Sequence, residues 1–235
     1  MRLQFDLVTL FPEFFSSPLE QSILRRAQRK QIVRVLVHNL RHYTHDRHKT
    51  ADDKPFGGGA GMLMKPEPLF ECIEAIQKKR VDPQGPKPAK GWVVLLDPHG
   101  EPLTQKLANR LARRKRLIII AGHYEGVDHR VREHLIDQEI SIGDFITMGG
   151  EAPALCLIEA VTRLLPGVLG NEGSLTEESF EAGKLEYPQY TRPRNFRGWQ
   201  VPDVLVSGNH AEVARWRRKS ALKLTREKRS DLRRK

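Results

Sequence analysis

Apolar and polar positions along the chain fall into two alternating rhythms. Short β-branched and aromatic runs, "LQFDLVTLF" (3–11), "IVRVLVHNL" (32–40), "WVVLLD" (92–97), "RLIIIAG" (116–122) and "QEISIGDFI" (138–146), read as strands. Between them the period lengthens to that of helices at 18–30, 66–80, 103–115, 127–135 and 151–165. Strands alternating with helices predict an α/β fold, a mostly parallel sheet with helices on both faces. Ligands of such sheets gather beyond the carboxyl ends of the strands. Three segments leaving those ends therefore matter most: "DPHGE" (97–101), "GHYEG" (122–126) and "GDFITMGGE" (143–151).

The pattern breaks in two places. "VDPQGPKPAKG" (81–91) is rich in proline and glycine and reads as a surface loop inside the domain. After "EAPALCLIEAVTRLL" periodicity disappears until "GNHAEVARWRRKSALKL". The chain thus divides into an α/β domain over 1–165, a flexible linker over 166–179 and a small basic helical part over 180–235. No internal repeat is visible.

Composition narrows the classes. The longest fully apolar run, "LIIIA" (117–121), is too short to span a bilayer, and the N-terminus reads as a strand rather than a signal peptide. Cys72 and Cys156 lack metal-type spacing, so a reducing, cytoplasmic setting is expected. The net charge of +11 is concentrated at the end: Arg215–Lys235 holds 11 Lys or Arg against Glu227 and Asp231, a net +9. "RRAQRKQIVR" (25–34) and "RLARRKR" (110–116) add basic stretches, and Trp199 and Trp216 are stacking candidates near the tail. A polyanion, most simply nucleic acid, is the partner this charge suits.

The chemistry-bearing motifs are glycine-lined rather than metal-like. "DDKPFGGGAGM" (52–62) puts four glycines into five positions, but no Gly-Lys-Ser/Thr follows and no G-x-G-x-x-G is formed, so a hydrolytic nucleotide loop is not indicated. Bare backbone lying against a flat or bulky surface is what remains. Upstream, His42, His45 and His48 recur at intervals of three; on a helix they would share a face, as metal ligands do. Arg41, Arg47 and Lys49 interleave with them, which favours phosphate and base contact over a metal. The glycine turns at three strand ends expose backbone N–H and C=O groups that could read the edge of a neutral purine with a small polar tail. Glu177 and Glu178 in the linker could bring a general base onto a closing segment.

Six blocks then occur in register: "THDRHKTADDKPFGGGAGMLMKPEPL", "AGHYEGVDHRV", "SIGDFITMGGEAPA", "PGVLGNEGS", "YPQYTRP" and "VPDVLVSGNHAEVARWR". Together they resemble the bacterial tRNA (guanine-N1)-methyltransferases of the knotted SPOUT superfamily, over nearly the whole chain. The resemblance implies a C-terminal trefoil knot in the α/β domain and an obligate homodimer with the active site shared between subunits. It further implies S-adenosylmethionine as methyl donor and, as acceptor, N1 of the guanosine 3′-adjacent to the anticodon of tRNA (position 37).

Residue by residue, the resemblance assigns the donor pocket to Gly122, Ile142, Gly143, Asp144, Phe145, Ile146 and Thr147, with Pro98, Gly149 and Gly150 closing its walls. His48, Asp52 and Gly61 would face the tRNA guanines. Arg163 matches an arginine that supports the family's catalytic aspartate, whose position is held here by Glu178, one methylene longer. Glu125 is a further candidate for catalytic or donor contact, and Glu186 also stands where the family typically has aspartate. No metal is implied. The alternatives are a knotted methyltransferase acting on ribosomal RNA and a non-catalytic RNA-binding protein.

Overall fold

The computed structural model describes residues 3–78, 90–170, 178–180 and 183–233. They divide into two compact units, Met1–Gly170 and Asn171–Lys235. The loop expected over 81–91 lies almost wholly outside the described residues, as do 171–177 of the expected linker.

In the first unit, β1 (Leu3–Thr9), β2 (Val33–Asn39), β5 (Trp92–Pro102), β6 (Arg116–Ala121) and β7 (Gln138–Ser141) form one sheet in the order β2-β1-β6-β5-β7. Every pairing in it is parallel. The central strand β6 is buried along its whole length, as a strand covered on both faces must be. Period-two alternation sends Leu117 and Ile119 to one face and Ile118 and Ile120 to the other.

The first face packs against α2 (Ser22–Arg29), α4 (Gln105–Ala112) and α6 (Glu151–Thr162) through Leu24, Leu107, Leu111, Leu157 and Ile158. The second packs against α3 (Pro66–Lys78) and α5 (His129–Leu135) through Leu69, Ile73, Ile76 and Val131. Cys72 lies on that second face, and burial pushes its thiol up to about 12, so it is packing rather than chemistry.

Sequence and structure part at the element ends. The helix expected over 18–30 is two, α1 (Ser16–Leu19) and α2, separated where Ser22 turns to φ +46°. The last expected strand stops at Ser141 rather than 146, because the chain leaves its last partner on β5 there. β5 runs on past the expected end at Asp97: Leu96 and Glu101 both pair with Ile140, so the residues between them bulge out of the sheet.

One charged set is buried inside the sheet. Asp6 accepts hydrogen bonds from Arg116 Nε at 2.8 Å and Gln4 Nε2 at 2.8 Å, and its other oxygen lies 2.8 Å from His38 Nε2. Burial pushes the Asp6 carboxyl up, and these partners outweigh it, leaving it below the usual carboxylate range.

The second unit is not purely helical. It holds a two-stranded hairpin, β8 (Asn195–Phe196) with β9 (Trp199–Gln200), and the helix α7 (His210–Lys228). Asn209 caps α7 by accepting from Glu212 N, and Thr225 on its buried side accepts from Leu185 N at 2.9 Å.

Candidate active site

Three chain segments meet beyond the carboxyl ends of β5, β6 and β7 and enclose a cleft of about 220 Å³. The bulge of β5 supplies Asp97, Pro98 and His99. The turn after β6 supplies Gly122–Gly126, closed by a hydrogen bond from Gly126 N to His123 O at 3.1 Å, with Tyr124 held at φ +59°. A non-glycine residue in that region stores about 1–2 kcal/mol of strain, which such turns carry where function needs a fixed side-chain direction.

The third segment, after β7, is shaped by local bonds. Ser141 Oγ donates to Gly143 O and accepts from Gly143 N, and Phe145 N donates to Gly143 O at 2.9 Å. Thr147 Oγ1 donates to Gly149 O at 2.8 Å, and Gly150 N donates to Gly122 O at 2.6 Å. This last bond clamps the third segment onto the second. A Cβ on Gly150 would stand 2.7 Å from Ala121 Cα, so only a bare backbone can make the crossing.

Most residues assigned to the donor pocket line this cleft: Pro98, Gly122, Ile142, Gly143, Phe145, Ile146, Thr147, Gly149 and Gly150, joined by Glu125. Asp144 lies on the same segment, exposed, outside the lining. Phe145, Ile146 and Met148 are 57%, 79% and 94% exposed, so one wall of the cleft is apolar and left open by the described residues.

The glycine loop borders the same turn. β3 (Asp52–Asp53) pairs with β4 (Leu63–Met64), and the strands bracket Gly57, Gly58, Gly59 and Gly61, all at left-handed φ between +81° and +130°. Around Gly57 and Gly58 a Cβ would meet nothing within 4 Å. Glu125 N donates to Met62 O, Met64 N to Gly126 O, and a Cβ on Gly61 would strike the Glu125 side chain at 2.5 Å.

His48 sits in an exposed turn tied by Asp46, which accepts from His48 N, Thr50 N and Thr50 Oγ1 at 2.8–2.9 Å. The Thr50 amide foremost holds the Asp46 carboxyl below its ordinary value. The histidines do not share a helix face: His42 lies in a single 3₁₀ turn, Leu40–Tyr43, and His45 pairs with Glu71. No cluster of three metal-type ligands forms among the described residues.

The charged side of the cleft has no counterpart among the sequence motifs. Arg132, on α5, binds Asp97 and donates to Glu139 at 2.8 Å, while His99 N and Nδ1 lie 3.0 and 2.6 Å from Asp97 Oδ1. Burial pushes the Asp97 carboxyl up, and the bonds from Arg132 and His99 override it, leaving it below its ordinary value. A lone arginine in a polar helix gives no signal of this until β5 and α5 are adjacent.

Arg163 closes α6 as its C-cap, half-buried, in the first unit. Glu178 is half-buried and belongs to the second unit. That unit presents Trp199 at 70% exposure, with Arg197 over the Phe196 ring at 5.3 Å on the same hairpin.

Comparison with known proteins gives this architecture its family. The family described as tRNA (Guanine-1)-methyltransferase TrmD matches residues 3–235. The chain belongs to the tRNA (guanine-1)-methyltransferase TrmD family. It is 54% identical over 230 residues to a tRNA (guanine-N(1)-)-methyltransferase of Dehalococcoides mccartyi, covering 98% of this chain and 90% of that protein. Similar proteins of the same name in Microcystis aeruginosa and Gloeobacter violaceus are each 53% identical over 231 residues. These matches cover 98% of this chain and 96% and 98% of theirs. For a member of the TrmD family, a methyl donor must enter some cleft, and the glycine-walled one beyond β5, β6 and β7 lies where ligands of parallel sheets gather.

Proposed function

We propose that this chain transfers a methyl group from S-adenosylmethionine to N1 of the guanosine 3′ to the anticodon of tRNA (position 37). It would act in the cytoplasm as a homodimer whose active sites draw on both subunits. One observation carries the reading: in a TrmD-family chain, the glycine-walled cleft and the open glycine loop share a single turn, 122–126, through Glu125. Donor and acceptor sites so joined are what a direct transfer requires.

The cleft fits the donor. Its walls are backbone, aliphatic and aromatic, which suits an adenine ring, and its cation Arg132 is already paired with Asp97 and Glu139. The carboxylates of Glu125 and Asp97 would favour a positively charged tail. Pro98, Gly122, Ile142, Gly143 and Phe145–Thr147 would hold the donor, which supplies an electrophilic methyl group on a sulfonium.

Guanine N1 carries a proton and is a poor nucleophile until that proton leaves. Glu178 would accept it, oriented by Arg163, while the base lies on Gly57–Gly61 between His48 and Asp52. The exposed Phe145, Ile146 and Met148 favour a covering partner, since contiguous apolar surface beside a site costs solubility unless buried. The basic α7 and the Phe196–Trp199 hairpin suit the tRNA backbone and unstacked bases. No helix among the described residues is long and apolar enough to cross a membrane.

The test incubates the protein with labelled S-adenosylmethionine and tRNA transcripts bearing G or A after the anticodon, and maps the methylated atom. Methylation of N1 in the G transcript alone is expected. Glu178→Gln should lower kcat by about 10²–10⁴-fold, the range for a lost general base, with donor affinity by calorimetry unchanged. Full activity of Glu178→Gln removes it as the base, and incorporation only into ribosomal RNA overturns the substrate.

A further inference from the structure

The segment that follows Glu178 is docked along one helix of the second unit. Its described residues meet α7 in reverse order. The Phe180 ring lies under Arg229, the C-cap of α7, at 5.5 Å. Leu185 N donates to Thr225 Oγ1 at 2.9 Å, and the Tyr187 ring lies under the Arg217 guanidinium at 4.7 Å. Tyr190 then pairs with Trp216, ring centroids 6.4 Å apart. Glu178, two residues before Phe180, thus stands at the carboxyl-terminal end of the helix.

The turn after Glu178 is closed on itself. Ser179 Oγ accepts from Glu186 N at 2.9 Å, and Phe180 N donates to Lys184 O at 2.8 Å. Phe180 is held at φ +80°, a left-handed conformation that costs a bulky residue about 1–2 kcal/mol. Strain of this kind persists only where the surroundings impose it, and here it sits two residues from a carboxylate.

Thr225 joins that turn to the helix. It is 1% exposed, and its hydroxyl donates to Ala221 O at 2.7 Å while accepting from Leu185 N. A hydroxyl that bonds back to the fourth carbonyl before it slightly weakens a helix, so the bond to Ala221 is no reason for a threonine here. The bond to Leu185 is. Valine fills nearly the same volume, makes neither bond and leaves the Leu185 amide without its partner. The same helix presents Arg215, Arg218, Lys219, Lys223 and Arg226 to solvent, so its cationic face and the segment bearing Glu178 are one body.

We infer that Ser179 and Thr225 are positioning residues for the general base: they fix the Glu178 backbone to α7, and the helix that holds the RNA carries the base with it. The inference rests on Glu178 being the base, as proposed above. In the step, the N1 proton passes to the Glu178 carboxylate, the N1 electron pair forms the new N–CH₃ bond, and the S–CH₃ pair returns to sulfur. Neither hydroxyl takes part in that transfer. A misplacement of about 1 Å can cost about 10²-fold in rate, so a loosened turn should show in kcat rather than in binding.

The experiment uses the full chain with S-adenosylmethionine and the G-bearing transcript, and measures kcat, KM and tRNA affinity by filter binding. Thr225→Val should lower kcat about 10²-fold, with the Kd for tRNA and donor within about threefold of wild type. Thr225→Ser, which keeps both bonds, should recover all but about threefold of that loss. Ser179→Ala should lower kcat about tenfold, because the Phe180–Lys184 bond still closes the turn.

A double-mutant cycle separates positioning from bracing. With Glu178→Gln already in place, Thr225→Val and Ser179→Ala should change the single-turnover rate by less than about twofold, since the group they position is gone. The same fractional loss in both backgrounds would mean that the hydroxyls only brace the second unit, and the inference fails. It also fails if both variants keep kcat within about twofold of wild type, or lose tRNA affinity as much as they lose kcat. Should Thr225→Val not fold, the cycle with Ser179→Ala decides. Full activity of Glu178→Gln brings down the base assignment of the preceding section and this inference with it. An inactive Glu178→Gln beside fully active Thr225→Val and Ser179→Ala overturns this inference alone.

Discussion

Two glycine-rich stretches flank the 122–126 turn, and they use glycine for opposite reasons. In Gly57–Gly59 every residue has a left-handed φ, and a Cβ would find open space or, at Gly59, only an ordinary contact with Pro55. There glycine is needed for conformation, and the surface it leaves is bare. In Gly149–Gly150 neither φ is left-handed, yet a Cβ would meet His123, Glu151 or the Ala121 backbone at 2.3–2.7 Å. There glycine is needed for close approach, and the surface is filled by protein. Gly61 combines both, with φ +82° and Glu125 where its Cβ would go. A bare surface is a place for a ligand's flat face; a filled one is a wall.

The contrast is broken most easily at Gly150. Gly150→Ala forces backbone apart at the bond to Gly122 and should cost about 3 kcal/mol, a fall in melting temperature of about 6–12 °C. Calorimetry should then show donor affinity reduced by at least tenfold; donor binding at wild-type strength would mean that the wall is softer than its packing implies.

Gly61→Ala comes next. Strain and the displaced Glu125 should together lower kcat/KM for tRNA by about 10²-fold, with the donor Kd changed less than fivefold. Gly58→Ala should cost only the left-handed strain of about 1–2 kcal/mol, raise the KM for tRNA severalfold and leave donor binding alone. Equal damage to donor and tRNA binding by this variant would erase the distinction between loop and wall.

The smallest effect belongs to the charged side of the cleft. Asp97 is held below its ordinary value, so its contribution is complete above the unfolded carboxylate's range and fades as pH falls through the folded value. Arg132→Met removes the main partner, and loss of donor affinity on acidification should then begin at a higher pH than in wild type. Identical acid limbs in titrations of the two proteins would show that the pair does not shape the cleft.

Much of this was legible in the chain itself. Apolar runs of period two, separated by longer amphipathic ones, leave few options but a parallel sheet with helices on both sides. The three strand-end turns could be located because ligands collect where strands stop. Element ends were read less well: Ser22 breaks a helix that periodicity continues, and the extended stretch after Ser141 has strand composition but no strand beside it. The histidine spacing of three suggested a helical face only because sequence spacing does not reveal whether a turn continues.

What the sequence by itself determined is therefore the layering of the domain, the family to which its motifs attach, and the places where backbone had to be bare. Tertiary structure alone decided which of those bare places is filled and which is open. It also placed Arg132 against Asp97, and Glu151 with Thr9 behind His123. The reason is physical: burial and φ preference act on each residue locally and leave a periodic trace, whereas a bond between residues 142 positions apart, such as Thr9 to Glu151, exists only once packing has brought them together.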